Sequence, residues 1–164
     1  MSLLFTPIRL RELEIRNRVF LAPMCQYSAT EGMPNEWHRV HYGTRAVGGV
    51  GLVMVEATGV TPAGRITPAD LGMWSDTHAQ AFQPIVALVK SQGARIGIQL
   101  AHAGRKASAD LPWNGGLQLT HGGWRPLAPS ALPFLKEDCV PKEMDRADID
   151  AVVELFAAAA KRAL

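Results

Sequence analysis

The chain has only two cysteines, Cys25 and Cys139. Two thiols build neither a disulfide framework nor a metal cluster, and both are expected to stay reduced in a cytoplasmic protein. Charge of one sign is also scarce: the net charge is +2, and no basic run interrupts the sequence. That argues against nucleic acid and against an anionic membrane surface as partners. No apolar run approaches the length that spans a bilayer. Met1-Ser2-Leu3-Leu4-Phe5 lacks the basic leader and apolar core of a signal peptide. No Gly-x-Gly-x-x-Gly turn follows the first buried-strand candidate, so a dinucleotide-binding fold loses ground.

What is present is globular. The 164 residues are 48% hydrophobic and 20% charged, enough for one domain with a real core. Ile8-Arg9-Leu10 and Leu13-Glu14-Ile15 alternate, as two strands of a small hairpin joined near Arg11-Glu12 would. Arg18 to Leu21 reads as a first buried strand. Asn35 is a plausible N-cap for a helix over Trp37 to Val47, which Gly48-Gly49 ends. Val50 to Val55 is a near-continuous apolar run, the pattern of a strand covered on both faces, and it closes with Glu56-Ala57-Thr58.

A second helix, capped by Ser75 or Asp76, carries Ala79, Phe82, Ile85, Val86 and Val89 at helical spacing. Pro84 inside it must kink it or sit in a late first turn, and Gly93 suits its C-terminus. Ile96, Ile98 and Leu100 alternate in a third strand. Residues 107–144 show no periodicity. Asp145 with Asp148 then forms a capping pair for a last helix whose buried stripe is Ile149, Val152, Val153, Phe156 and Ala160. Strand and helix thus alternate three times after a hairpin. That order predicts a parallel α/β sheet, either doubly wound or a (β/α)₈ barrel, with chemistry at the C-terminal strand ends.

Those ends are Pro23 to Tyr27, Ala57-Thr58 and Gln99 to Lys106. In Ala22-Pro23-Met24-Cys25-Gln26-Tyr27 the proline stops ladder pairing. Cys25 and Tyr27, two apart, point the same way if the backbone is extended. They read as the floor of a cofactor and substrate site; taken alone, they fit a buried cysteine and a half-buried tyrosine at a strand end at least as well. Gln99 alone could be an amide satisfying loop backbone. His38 and His41 could bind a metal but suggest no third ligand, so they read as a surface or packing pair, and no metal site is expected. His102 reads as structural, and Arg105 and Lys106 as site-wall or loop-anchoring residues.

Together the blocks Ala22 to Tyr27, Val55-Glu56-Ala57-Thr58, Gly64-Arg65-Ile66-Thr67, Gly72-Met73-Trp74-Ser75-Asp76 and Gly97 to Lys106 resemble the old yellow enzymes. The similarity is to the bacterial subclass of xenobiotic reductase A and the thermophilic-like ene-reductases, which carry a cysteine at the position of Cys25. The resemblance covers the whole chain. It implies an FMN-dependent (β/α)₈ TIM barrel, of which residues 1–164 are the N-terminal part of a single, incomplete domain: about three β/α units and the hairpin. It implies NADPH as hydride donor, activated alkenes such as enones as substrates, a homo-oligomer, and a cytoplasmic location. By similarity the backbone of Ala22, Pro23 and Met24 would lie along the flavin ring. Cys25 would sit at its reactive edge, Ala57 would offer a backbone group, the Gln99 amide would meet the pyrimidine end, and Tyr27 would donate to the substrate carbonyl.

The family's substrate-orienting histidines, its proton-donating tyrosine and the loops that hold the flavin phosphate follow later strands. The chain alone is therefore expected neither to hold FMN tightly nor to complete the reaction. It is expected to be ordered beside the rest of the barrel, in the same or a complementary chain. Two other readings stay open: an inactive fragment that acts only by pairing with a complementary chain, and another FMN barrel dehydrogenase.

Overall fold

The computed structural model describes residues 2–164. After a 3₁₀ turn at Leu3–Phe5, strands β1 (Ile8–Leu10) and β2 (Leu13–Ile15) form an antiparallel hairpin with Ile8 opposite Ile15. Arg11 makes the turn with a left-handed φ of 53°. Ile15 is fully buried and seats the hairpin on the rest of the molecule.

The central sheet is parallel. Its strands are β3 (Phe20–Leu21), β4 (Leu52–Gly59), β5 (Leu71–Gly72) and β6 (Arg95–Ala101). β4 is the middle strand, with β3 on one side and β6 on the other. β3 is only two residues long, shorter than the apolar run Arg18 to Leu21 suggested. Pro23 has no N–H to offer, and the chain leaves the sheet after Leu21. β5 pairs with Thr58 and Gly59 at the far end of β4, along the edge that β3 has left.

Three helices cover one face. α1 (Glu36–Val47) has a capping box: the Asn35 side chain accepts from helical backbone and the His38 ring accepts from the Asn35 N–H at 3.1 Å. α2 (Asp76–Ser91) begins after Ser75, whose hydroxyl meets His78 Nδ1 at 2.6 Å instead of capping backbone. Pro84 lies in the middle of α2 on its exposed side, well past the first turn. α3 (Arg146–Ala163) starts at the predicted pair, Asp145 and Asp148, each side chain accepting from the other's backbone N–H.

The core lies between sheet and helices. Val53 and Val55 of β4 meet Tyr42 and Ala46 of α1 and Phe82, Ile85 and Val89 of α2, all nearly inaccessible. Each of the valine, isoleucine and phenylalanine side chains contributes about 1.5–3 kcal/mol by leaving water. The stripe expected on α3 is only partly buried. Val152 and Phe156 turn inward with Leu155 and Ala159, whereas Ile149, Val153 and Ala160 face outward. The buried face is rotated because α3 packs on one side only, against β6 and α2. α1 likewise exposes Trp37, Val40 and Val47. Residues 107–144 stay irregular apart from a short parallel pair, β7 (Leu127–Ala128) with β8 (Lys142–Glu143), and a 3₁₀ turn at Pro112–Asn114. No helix among the described residues is long and apolar enough to cross a membrane.

Candidate active site at the strand ends

The segment 22–29 leaves the sheet edge at Ala22 and returns where the Ala29 N–H donates to Ala69 O at 2.9 Å. Between these points it is held from below by α1. Trp37 Nε1 donates to Gln26 Oε1 at 3.1 Å, and Asn35 Nδ2 donates to Ser28 O at 2.6 Å. Gln26 folds back so that its Nε2 donates to Met24 O at 2.8 Å. The backbone is not a simple extension of the strand. Tyr27 takes a left-handed φ of 48°, so strict alternation does not set its direction.

Cys25 and Tyr27 nevertheless face each other, because the bend at Tyr27 and the ties to α1 close the segment into an arch. Burial pushes the Cys25 thiol above its ordinary value, and the negative charges of Asp70 and Glu56 add to that. The Ala57 backbone N–H and the Tyr27 hydroxyl draw it part of the way back. Burial also raises the Tyr27 phenol, with the neighbouring Cys25 and Asp70 reinforcing the effect. Both groups therefore stay protonated at neutral pH. Tyr27 meets the exposed Trp113 edge to face, with ring centroids 6.1 Å apart.

Under the arch sits Glu56, 1% exposed. Its Oε2 accepts from the Gln26 N–H at 2.6 Å and its Oε1 accepts from the Tyr42 hydroxyl at 2.7 Å. Tyr42 in turn accepts from the Glu56 backbone N–H at 3.1 Å. Fully buried His38 turns Nε2 toward Glu56 Oε1 at 3.7 Å, too long for a hydrogen bond. Burial, helped by His41, lowers the His38 pKa to about 4, so the ring is neutral. Burial raises the Glu56 carboxyl, while the Gln26 and Tyr42 donors oppose that. The sequence reading passed over Glu56 and Tyr42. A lone acid closing an apolar strand was the available signal.

Ala57 pairs with Gln99 across β4 and β6. Both lie on the sheet face away from the helices, where Gln99 is exposed and Gly97 presents no side chain. The pair His38 and His41 is a buried packing pair, and among the described residues no cluster of His, Cys, Asp or Glu could hold a metal. His102 Nδ1 accepts from the Gly104 N–H at 3.1 Å. Arg105 anchors a loop, donating to Ser130 Oγ at 2.9 Å, and Lys106 covers the Phe134 ring at 4.4 Å. Arg65 is held between Trp74 and Trp124, 5.3 Å from each ring centroid. Asp70 closes the same loop by accepting from the Ile66 N–H and the Thr67 hydroxyl, both at 2.7 Å. A cavity of about 380 Å³ lies elsewhere, on the helix side of the sheet between Val55, Phe82, Ile98 and Leu164, with Lys90 and Arg162 also in its wall. It is mostly apolar and does not touch Cys25, Tyr27 or Gln99.

Residues 3–164 match the NADH:flavin oxidoreductase / NADH oxidase family. The chain belongs to that family. The NADPH dehydrogenase of Geobacillus sp. (strain WCH70) is 46% identical over 164 residues, covering 99% of this chain and 44% of the relative. The NADPH dehydrogenase of Bacillus subtilis (strain 168) is 44% identical over 162 residues, covering 98% and 44%. Among solved structures, morphinone reductase matches with a TM-score of 0.81 at 30% identity over 98% of this chain and 44% of its own. An old yellow enzyme homologue from Zymomonas mobilis also gives 0.81 at 30% identity, covering 99% and 45%. The chain therefore spans less than half the length of the relatives it matches. The resemblance to old yellow enzymes holds, and the fold is the N-terminal part of their barrel, not closed.

The residues fit the ring of a flavin. At the C-terminal ends of the strands they present an exposed amide on Gln99, a small side chain at Ala57 and a neutral thiol at Cys25. A flat apolar ring with polar edges needs such a surface.

Proposed function

We propose that the chain is the N-terminal part of a single-domain, FMN-dependent ene-reductase that uses NADPH and reduces activated C=C bonds of α,β-unsaturated carbonyls. One observation carries this reading: Tyr27, Cys25, Ala57 and Gln99 form a continuous series at the C-terminal ends of three adjacent parallel strands, β3, β4 and β6. Ala22, Pro23 and Met24 would lie along the cofactor ring, with Ala57 offering it a backbone group, the Gln99 amide at its pyrimidine end and Cys25 beside its reactive edge. When bound, FMN supplies the hydride chemistry. The Tyr27 hydroxyl, kept protonated, donates to the substrate carbonyl oxygen and stabilises the charge that develops there. Cys25, kept as a thiol, adds no charge next to the ring.

The partner is the remainder of the barrel. Trp37, Val40 and Val47 on α1 and Ile149 and Val153 on α3 are exposed on the two flanks of the helical layer. β3 with β5 on one side and β6 on the other are open sheet edges. Further β/α units would cover both. The same open flanks favour the second reading, a fragment whose activity is to pair with a complementary chain. The Cys25 and Tyr27 pair with the Gln99 block argues against another kind of FMN barrel dehydrogenase.

The test is a visible spectrum of the chain assembled with the rest of the barrel, after FMN addition and desalting. Flavin bands that persist, bleach anaerobically with NADPH and return on adding a cyclic enone support the reading. An assembled sample that stays colourless rejects it.

A further inference from the structure

Glu56 is the charged group that the catalytic reading does not use, and burying it is costly unless something fixes it in place. The strand itself is distorted to accommodate it. Val55 pairs with Ile98 and Ala57 with Gln99, so Glu56 is an extra residue, a bulge in β4. Without the bulge, alternation would aim Glu56 at the face that carries Met54 and Gln99. With it, Glu56 joins Val55 on the helix side and both are buried. There it meets Tyr42 Oη at 2.7 Å and His38 Nε2 at 3.7 Å, both from α1. Its second oxygen is given to the Gln26 N–H at 2.6 Å, between Cys25 and Tyr27.

Both carboxylate oxygens thus accept hydrogen bonds, as an ionised carboxylate does. A buried charge aimed at one backbone amide fixes that amide more firmly than a neutral acceptor can. His38 Nε2, at 3.7 Å, makes no hydrogen bond to Glu56, so the clamp from α1 is Tyr42 alone. Other titratable groups near the arch are Asp70, on the Cys25 side, and His41, beside Tyr42.

We propose that Glu56 is a positioning residue of the site: clamped by Tyr42, its carboxylate pins the Gln26 amide and thereby sets where Cys25 and Tyr27 stand. The role assigned to those two residues rests on the ene-reductase reading. The clamp itself does not, since Cys25 can be probed without flavin.

The experiment uses the assembled enzyme with Glu56→Gln and, separately, Tyr42→Phe. One readout is the pH midpoint of Cys25 alkylation, followed by mass spectrometry. The other is the split between kcat and KM for a cyclic enone. Glu56→Gln removes a negative charge beside the thiol and should lower the midpoint by about half a unit or more. Misplacing Tyr27 should lower kcat for the enone about tenfold while flavin reduction by NADPH is unchanged. Tyr42→Phe keeps the charge but loosens the clamp, so kcat should fall with the midpoint unmoved. A Glu56→Gln enzyme with the wild-type midpoint and wild-type kcat overturns the proposal. If that variant does not fold, wild-type kcat and KM in Tyr42→Phe overturn it. A wild type inert toward enones would defeat the functional reading alone; the clamp would then be decided by the rate of Cys25 alkylation at fixed pH, which should change in Tyr42→Phe, and a wild-type rate overturns it.

Discussion

Ala57 and Gln99 stand side by side across β4 and β6, in the register step that follows the bulge at Glu56. The bulge does two things at once. It buries an acid under the arch, and it returns Ala57 to the open face of the sheet, next to the exposed Gln99 amide. The surface offered to a cofactor ring and the support beneath Cys25 and Tyr27 therefore come from a single irregularity in one strand.

If Tyr27 is the donor to the substrate carbonyl, Tyr27→Phe should separate the two half-reactions. Reduction of the flavin by NADPH should be unchanged, while reduction of an enone should slow about a hundredfold, the usual loss for one oxyanion donor. Stopped-flow absorbance at the flavin bands measures both. Equal slowing of the two would assign Tyr27 to binding the cofactor instead.

The two cysteines should react very differently. Cys139 is exposed, whereas Cys25 is half-buried and its thiol is raised by burial and by Asp70 and Glu56. Only the thiolate is alkylated. Iodoacetamide at pH 8 should modify Cys139 first, with Cys25 lagging by at least about tenfold and catching up as the pH rises. Peptide mass spectrometry resolves the two sites.

Much of this arrangement was legible in the residues. Helix ends were clear because Asn35, Asp145, Gly49 and Gly93 carry local chemistry that context does not override. That the candidate residues gather at the strand ends followed from alternating strands and helices, since parallel sheets put loops of one kind at one end. The bulge was not legible. Alternation carries no mark of an inserted residue, and Glu56 reads as the polar end of an apolar strand. Nor was the turn at Tyr27, whose φ of 48° goes with side-chain ties from Asn35, Trp37 and Glu56 that no local pattern marks. The exposed half of the α3 stripe failed for a related reason. Periodicity shows which residues are apolar, but which of them are covered depends on neighbours.

Acid should weaken the fold through His38. Its folded pKa is about 4 against an ordinary 6.5, so between these values the unfolded chain binds a proton that the folded one refuses. Stability from this residue is therefore complete above pH 6.5 and falls as pH drops toward 4, by at most about 3 kcal/mol. The raised carboxyl of Glu56 works in the opposite sense, favouring the fold as it protonates. Comparing the wild type with His38→Asn isolates the histidine. Thermal unfolding of the assembled enzyme between pH 6.5 and 4 should show the wild type losing more stability than the variant. Parallel curves would place the acid sensitivity elsewhere.

Two glycines offer a last contrast, because each is close-packed against a different kind of neighbour. A Cβ on Gly51 would come within 2.6 Å of the Asn17 carbonyl oxygen and 2.7 Å of Ile15 Cγ2. The carbonyl cannot retreat. Gly51 is also held through its own N–H to Val19 O and through its carbonyl to the Arg95 N–H, both at 2.8 Å, which sets the start of β4. A Cβ on Gly43 of α1 would approach Leu88 Cδ2 at 2.6 Å, the mobile end of a half-buried side chain on α2. There the leucine can turn aside, and alanine favours the helix over glycine by nearly 1 kcal/mol. Gly51→Ala should cost about 1–3 kcal/mol, whereas Gly43→Ala should be close to neutral. Denaturant unfolding of the assembled enzyme distinguishes them. Equal losses would mean that α1 and α2 are packed as rigidly as the strand and the hairpin, with Leu88 unable to move.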